Sequence, residues 1–531
     1  MRTISVIPVV SVRKTSSQVD VWAFGFVIVV GGQFYSWNSG LVAGTVSYGI
    51  SIVAMGLAYL CMIWSSAEVS SALPFAGGVY GLARCTLGFY FGFMAGCCEM
   101  FEYALYVTSC CVTTTNILTA TWPEIQPFVP LMWFLLGLAS ASLAFVGGPV
   151  FWRTYVGFGF VIFSVFFVYG IGALSNASLK DYAGGVENAF VGGLSQLFTT
   201  LPQAAWFYSG IESLNTLAND VANPQKTIPK SQVYCMYTLL GTSWCIYLVS
   251  ISLPPGAVNL PSQMAVTNGG FTAMFNVTAT QATLVTLPAA VSAIPGFALT
   301  SSNILAALAD SKLLPEALAH LHPVYKTPDR ALVCVAVVAF AMCFPVLHLP
   351  NFGQTIYNVC MIFGFSAYIA QCLGYLYLHR HHATLDRQYT SPAGPAGAIY
   401  AIVVFATSLT SLLFAQGDGY VYVSVSGAIL LVLTVYYHVY AKQRQAFSAD
   451  ERTQLFFAHV AKHVHAKSKA PVPSLPSVYK QRVSSTTAGN SIFQSVVPVA
   501  SQPRVANNRI RSVHVKAAIA YTDRDSQDGG S

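Results

Sequence analysis

Charge is what this sequence has least of. Only 8% of its 531 residues are Asp, Glu, Lys or Arg, against roughly 25% in soluble domains, so a solvated globular surface or a basic nucleic-acid-binding face is excluded. Other chemistry is missing as well. No apolar segment carries a His-x-x-x-His pair, no glycine loop suits a nucleotide, and no Ser/His or paired-aspartate arrangement falls at membrane depth. The clustered His379, His381 and His382 lie at a helix end. The twelve cysteines lack Cys-x-x-Cys or Cys/His spacing and read as buried free thiols. These absences argue against an enzyme and leave no metal or cofactor to expect. The N-terminal "VIPVV" is too short an apolar run for a cleavable signal, so the first span itself is expected to direct insertion.

What is present is hydrophobic length: 54% of the residues are apolar or aromatic. Twelve segments are long enough to cross a bilayer, for which about 20 residues suffice: 21–44, 46–67, 87–118, 129–147, 154–174, 196–219, 231–253, 281–310, 330–349, 352–378, 396–415 and 420–441. The expected product is an all-α integral membrane protein. Its domains would be an N-terminal segment 1–20, a transmembrane domain 21–441 and a tail 442–531. One set of loops holds Arg2, Arg13, Lys14, Arg84, Arg153, Lys226, Lys230, Lys312, Lys326, Arg330, Arg380 and Arg387, and the alternate set only Lys180. Because positive charge in short loops stays cytoplasmic, both termini are expected inside. The glycosylation triplets at Asn176 and Asn276 both fall in expected outside loops.

The tail after Tyr440 has thirteen Lys/Arg against five Asp/Glu and is rich in serine. Ser448-Ala-Asp-Glu451 has capping-box spacing ahead of Leu455, Phe456, Phe457, Val460 and Val464. That predicts a short helix, either on the anionic inner leaflet or solvated and domain-packed. From Ala470 onward the composition predicts disorder.

Two apolar spans are poor helices. The first contains "GGQFYSWN" (Gly31 to Asn38) and the sixth "WFYSGIES" (Trp206 to Ser213). Irregular backbone at membrane depth is tolerated only where protein buries it or water reaches it, so paired breaks point to a site. The sixth span adds Glu212 and the third carries Glu99 and Glu102, three apart and therefore on nearly one helix face. Carboxylates at that depth must be paired, hydrated or protonated. The fifth span, Tyr155 to Gly170, has no cationic residue to pair with them.

With "GGQFYSWNSGL", "AEVSSALPFAGGVYGLAR" (Ala67 to Arg84), "CEMFEYALYV" (Cys98 to Val107), "PQAAWFYSGIESLNTLANDVANPQKTIPK" (Pro202 to Lys230) and "ALADSKLLPEALAHLHPVYKTPDRAL" (Ala307 to Leu332) in view, the chain resembles the amino acid/polyamine/organocation transporter superfamily. Within it the chain is similar to ethanolamine permeases and related amino acid permeases. The resemblance covers roughly residues 20 to 440. It implies a leucine-transporter-type core of ten helices in two inverted repeats, plus two further helices, moving a small amine-bearing solute by alternating access. It further implies that N–H groups of Gly31, Gly32 and Gln33 would face a substrate carboxylate with the favourable end of a helix dipole. Carbonyls near Ser209 and Gly210 would accept from the ammonium, with Trp206 and Phe207 as aromatic walls. Either Glu102 or Glu212 could take up a coupling proton or pair with the substrate amine, with Glu99 beside them. Glu68 and Asp310 would help close the cytoplasmic side, with Arg84 or Lys312 as possible ion-pair partners.

With no ATPase cassette, transport must draw on a gradient or be facilitated. The leading expectation is a secondary transporter of amino acids or small amines such as ethanolamine, in the plasma membrane. The expected partners are that small-molecule substrate, a proton or other ion, and lipid, with no nucleic acid. The alternative is a non-transporting sensor on the same scaffold.

Overall fold

A computed structural model describes residues 16–349, 352–383, 385–417, 420–448 and 451–452. The expected N-terminal segment up to residue 15, the apolar positions from Leu455 to Val464 and everything from Ala470 onward lie outside the described residues. Among the described residues the chain is helical, without strands. The principal helices are α1 (Gln18–Tyr35), α2 (Thr45–Ala72), α3 (Val79–Thr86), α4 (Phe89–Thr121), α5 (Val129–Val146), α6 (Gly148–Gly172), α7 (Gly193–Thr200), α8 (Pro224–Ile251), α9 (Leu287–Asp310), α10 (Asp329–Cys343), α11 (Phe352–His381), α12 (Gly394–Phe414) and α13 (Val421–Tyr436).

Ten helices among the described residues are long and apolar enough to cross a membrane, and each coincides with one of the twelve expected segments. The other two expected segments are α4, 33 residues long with Glu99 and Glu102 inside it, and the sixth, which is not one helix at all. After α7 the sixth segment tightens into a 3₁₀ helix, Leu201–Phe207, turns through Tyr208 to Gly210, and resumes as a second 3₁₀ helix, Ile211–Asn219. Such helices rarely exceed about four residues, because their hydrogen-bond geometry is poor. Gly210 makes the turn with φ +101°, a conformation costly for any residue with a Cβ.

The expected break in the first span is displaced. α1 stays helical through Gly31 and Gly32 and ends only after Tyr35, so those glycines do not release their N–H groups. Their role lies in close approach. A Cβ on Gly32 would sit 2.0 Å from the Trp206 carbonyl oxygen, so the missing side chain lets the backbone of the broken sixth segment lie directly against α1. The carbonyls freed at the end of α1 find partners inside the protein: the Trp37 indole donates to Gln33 O at 2.7 Å, and Val266 N donates to Phe34 O at 3.0 Å. Such satisfaction is what a helix end inside hydrocarbon requires.

Around this pair the bundle closes. α9 lies along α4, α2 along α8, and α1 contacts α6, α8 and α9. Gly296 in α9 permits a further close approach, since a Cβ there would meet Ile28 at 2.4 Å and the Tyr155 hydroxyl at 2.7 Å.

The two adjacent glycines should therefore behave differently. Gly32→Ala forces backbone against backbone and is expected to lower stability by about 1–3 kcal/mol, the usual cost of overpacking. At Gly31 a Cβ meets only the Ala289 carbonyl oxygen, at 3.6 Å, so Gly31→Ala should unfold near the wild-type temperature. Thermal unfolding of the two purified variants in detergent checks this, and equal losses would contradict the close-approach account.

Candidate functional site

Between α1, α4, α9, α11 and the broken segment lies a cavity of ≈ 60 Å³. Gly31, Gly32, Trp206 and Ser209, all expected at a site, line it together with hydroxyls of Ser36, Ser109 and Thr113. Its walls are otherwise aromatic. Trp206 meets Tyr357 edge-on at 5.1 Å and Tyr106 at 5.8 Å, and Tyr106 packs on Phe297 at 4.9 Å. No Lys, Arg, His, Asp or Glu is in the lining. Ser109, one of the lining residues, has a buried Oγ with no hydrogen-bond partner among the described residues.

Gln33, Phe207, Gly210 and Glu212 do not line the cavity. Gln33 is fully buried, and its Nε2 donates to Phe207 O at 3.0 Å and Leu239 O at 3.2 Å. It clamps the irregular segment to α1 and α8, because Phe207 O has lost its α-helical partner where the chain turns. Phe207 stacks on Trp37 at 4.9 Å, and Gly210 supplies the turn itself.

Behind the aromatic wall the structure gathers all three membrane-depth carboxyls. Glu99, Glu102 and Glu212 are 1%, 0% and 1% exposed. Tyr103 OH lies 3.1 Å from Glu99 Oε1 and 3.0 Å from Glu212 Oε1. Tyr368 OH contacts Glu102 Oε1 and lies 3.3 Å from Glu212 Oε1, and Tyr106 OH donates to Glu102 at 2.8 Å. Backbone N–H groups complete two of them: Val79 N to Glu99 Oε2 at 2.9 Å and Gly210 N to Glu212 Oε2 at 3.2 Å. Two rings separate the cluster from the cavity. Tyr106 faces the cavity and bonds Glu102, while Phe297 faces it and stacks on Tyr103 at 5.8 Å.

The sequence held a signal for two of these tyrosines. Glu99 and Tyr103, like Glu102 and Tyr106, are four apart on α4, the spacing at which helix side chains meet. Tyr357, Phe297 and Tyr368 had no local signal, because only the packing of α9 and α11 against α4 brings them in. Nor did Asn215, whose amide bridges Ser66 at 2.7 Å and Ser70 and Gln232 at 2.8 and 2.9 Å, tying the broken segment to α2 and α8.

At the bundle end that carries Arg84, Lys326 and Arg387, a second, wider space of ≈ 430 Å³ opens between Gly77, Tyr80, Thr216, Asn219, Asp310 and Glu451. The ion pairs here differ from those expected. Glu68 pairs with neither Arg84 nor Lys312; it bonds Arg387, accepts from Tyr375 OH at 3.1 Å and Ser391 N at 2.8 Å, and lies 3.7 Å from His379 Nδ1. Arg84 is instead taken by Glu451 at 3.1 Å, and Lys312 by Glu316 at 3.2 Å. The reason is reach and burial. Arg84 and Glu451 are both buried, and a buried charge needs an opposite one in contact. Asp310 stays exposed on the rim. The capping box at Ser448 and Glu451 is present, with Ser448 N donating to Glu451 at 2.8 Å and Glu451 N to Ser448 Oγ at 3.2 Å.

A sequence profile of the amino acid permease family matches residues 16–472. The chain belongs to that family. Among its relatives, an uncharacterised transporter of Rhizobium meliloti is 22% identical over 79% of this chain and 90% of its own length. The amino-acid permease RocC of Bacillus subtilis is 23% identical over 81% and 94%, and the methylthioribose transporter of the same species is 20% identical over 72% and 85%. This permease is thus an all-α integral membrane protein of the amino acid/polyamine/organocation superfamily.

The Glu68 cluster carries a stability prediction for the permease. Arg387→Ala leaves a buried carboxylate without its cation and should cost about 3–5 kcal/mol, whereas Glu68→Leu with Arg387→Leu should recover most of that loss. Equilibrium unfolding in detergent decides it; a neutral single variant would show the pair to be incidental.

Proposed function

We propose that this permease is a proton-coupled secondary transporter of small organic amines, ethanolamine being the representative, working in the plasma membrane with its basic end cytoplasmic. The observation that carries the reading is the composition of the cavity wall: five aromatic residues, four serines and threonines and no cationic group. A cation over an aromatic face gains about 0.5–2 kcal/mol, and the Ser109 hydroxyl supplies a partner for a substrate N–H or O–H. A carboxylate finds no comparable anchor, because the Gly31 and Gly32 N–H groups lie inside an unbroken helix. The space, ≈ 60 Å³, suits a solute of a few heavy atoms rather than the several hundred Å³ of a drug-sized site.

Coupling is assigned to the carboxyl cluster, and within it to Glu102 and Glu212. Glu212 lies behind Phe297 and Ser209, out of contact with the cavity, which favours a proton-carrying role over direct pairing with the substrate amine. Side chains and backbone between Phe75 and Gly81, the second half of the broken segment and the end of α9 line the wide space at the basic end. In alternating access this space would become continuous with the cavity once the aromatic layer parts.

A thermal-shift panel on the purified permease tests the substrate class, because a ligand that binds only the folded state raises stability with occupancy. Ethanolamine and other short amines should raise the unfolding temperature, and Trp206→Leu should abolish the shift while leaving the unliganded temperature within a few degrees. A response confined to carboxylate-bearing amino acids would overturn the amine assignment. Glu212→Gln should bind and exchange substrate but fail to accumulate it against a gradient.

A further inference from the structure

The cluster's geometry extends beyond two coupling carboxyls. Five oxygen–oxygen contacts join three carboxyls to three tyrosine hydroxyls: Tyr103 with Glu99 and Glu212, Tyr368 with Glu102 and Glu212, and Tyr106 with Glu102. Each hydroxyl owns one proton and can donate once. Three hydroxyl protons therefore serve three of the five contacts, and the other two need protons carried by carboxyl groups. No Lys, Arg or His among the described residues pairs with any of the three. The remaining titratable neighbours are Tyr59 of α2, Cys98 of α4 and Cys360 of α11, none of which supplies positive charge.

Two observations outside the cluster's own bonds show where it leads. At one end, Glu102 Oε2 is sealed from solvent with no partner, and the other oxygen of the same carboxyl bonds Tyr106, whose ring faces the cavity. At the other end, Glu99 accepts from Val79 N, two residues beyond Gly77, which lines the wide space at the basic end. Gly78 has φ +58°, and a Cβ there would lie 2.6 Å from Glu99 Oε2.

We infer that Glu102, Tyr368, Glu212, Tyr103 and Glu99 form, in that order, a proton relay from the substrate cavity to the cytoplasmic vestibule, with Glu99 as the releasing carboxyl. The inference rests on the proton coupling proposed above and adds its route. A proton taken up on Glu102 passes to the Tyr368 oxygen as the Tyr368 O–H bond breaks and its proton moves to Glu212. Glu212 then protonates the Tyr103 oxygen as the Tyr103 proton moves to Glu99, which releases it at the Gly77–Gly78 loop. Both tyrosines end as they began, and one proton has crossed.

The test uses the full chain in liposomes, with labelled ethanolamine as substrate and a pH-sensitive dye inside. Tyr103→Phe removes one oxygen and the link between Glu212 and Glu99. Counterflow exchange, which needs no net proton movement, should persist. Accumulation driven by an inward proton gradient, and the proton influx that accompanies it, should fall by about a hundredfold, the low end of what a positioned proton-transfer group contributes. Tyr368→Phe should show the same split, and Glu99→Gln serves if Tyr103→Phe does not fold. Wild-type accumulation in Tyr103→Phe, or loss of counterflow together with accumulation, overturns the relay. If the wild-type protein moves substrate without protons, the proposed coupling itself fails and the relay with it; the wild-type trace separates that failure from failure of the relay alone.

Discussion

A helix that stops inside a bilayer exposes peptide groups that hydrocarbon cannot satisfy, and the interior of this permease is arranged around meeting that need at the sixth segment. The Phe207 carbonyl is taken by the amide of Gln33, the Gly210 N–H by the carboxyl of Glu212, and the Ser209 hydroxyl by Ala205 O and the Tyr59 hydroxyl. Each of these partners then fixes something else. Gln33 holds α1 against the break, Gly32 lets the two backbones meet, and Glu212 draws Tyr103 and Tyr368 into place. The carboxyl cluster is thus part of what keeps the broken segment in shape, so a change in its protonation acts directly on the backbone beside the cavity.

Two neighbouring environments follow from this arrangement. On one side of Tyr106 and Phe297 the space is aromatic, uncharged and open to a small cation; on the other, three carboxyls share hydroxyl protons out of reach of water. In the function proposed above, keeping them apart would let a positively charged substrate and a proton occupy the protein together without direct contact, coupled through the rings and the Gly210 turn. At the basic end, the pairs of Glu68 with half-buried Arg387 and of buried Arg84 with Glu451 tie distant parts of the chain together.

Much of this was legible in the sequence, for identifiable reasons. Scarcity of charge and the length of apolar runs fixed the fold class, and the Glu212 and Gly210 pair marked the sixth break, because glycine and a carboxylate have few other uses at that depth. The first break was misplaced because two adjacent glycines look the same whether they end a helix or admit a neighbour; only the Trp206 carbonyl, 174 positions from Gly32 in the chain, decides between the two. Gln33 was read as a substrate ligand through its backbone N–H, at the start of a half-helix that does not form there; that its side-chain amide is taken by Phe207 O and Leu239 O is not legible in the sequence. Partners of Glu68 and Arg84 were missed because both lie more than three hundred residues away, at Arg387 and Glu451.

The central claim is that an aromatic-walled amine site and a buried carboxyl relay operate as one machine. Simultaneous recording of ethanolamine uptake and lumenal pH in liposomes bearing the purified permease tests it most directly. The account predicts that imposing an inward proton gradient drives ethanolamine above its external concentration, that the lumen acidifies in step with uptake, and that a protonophore collapses both. Uptake that stops at equal concentrations, indifferent to the gradient and without acidification, would contradict it.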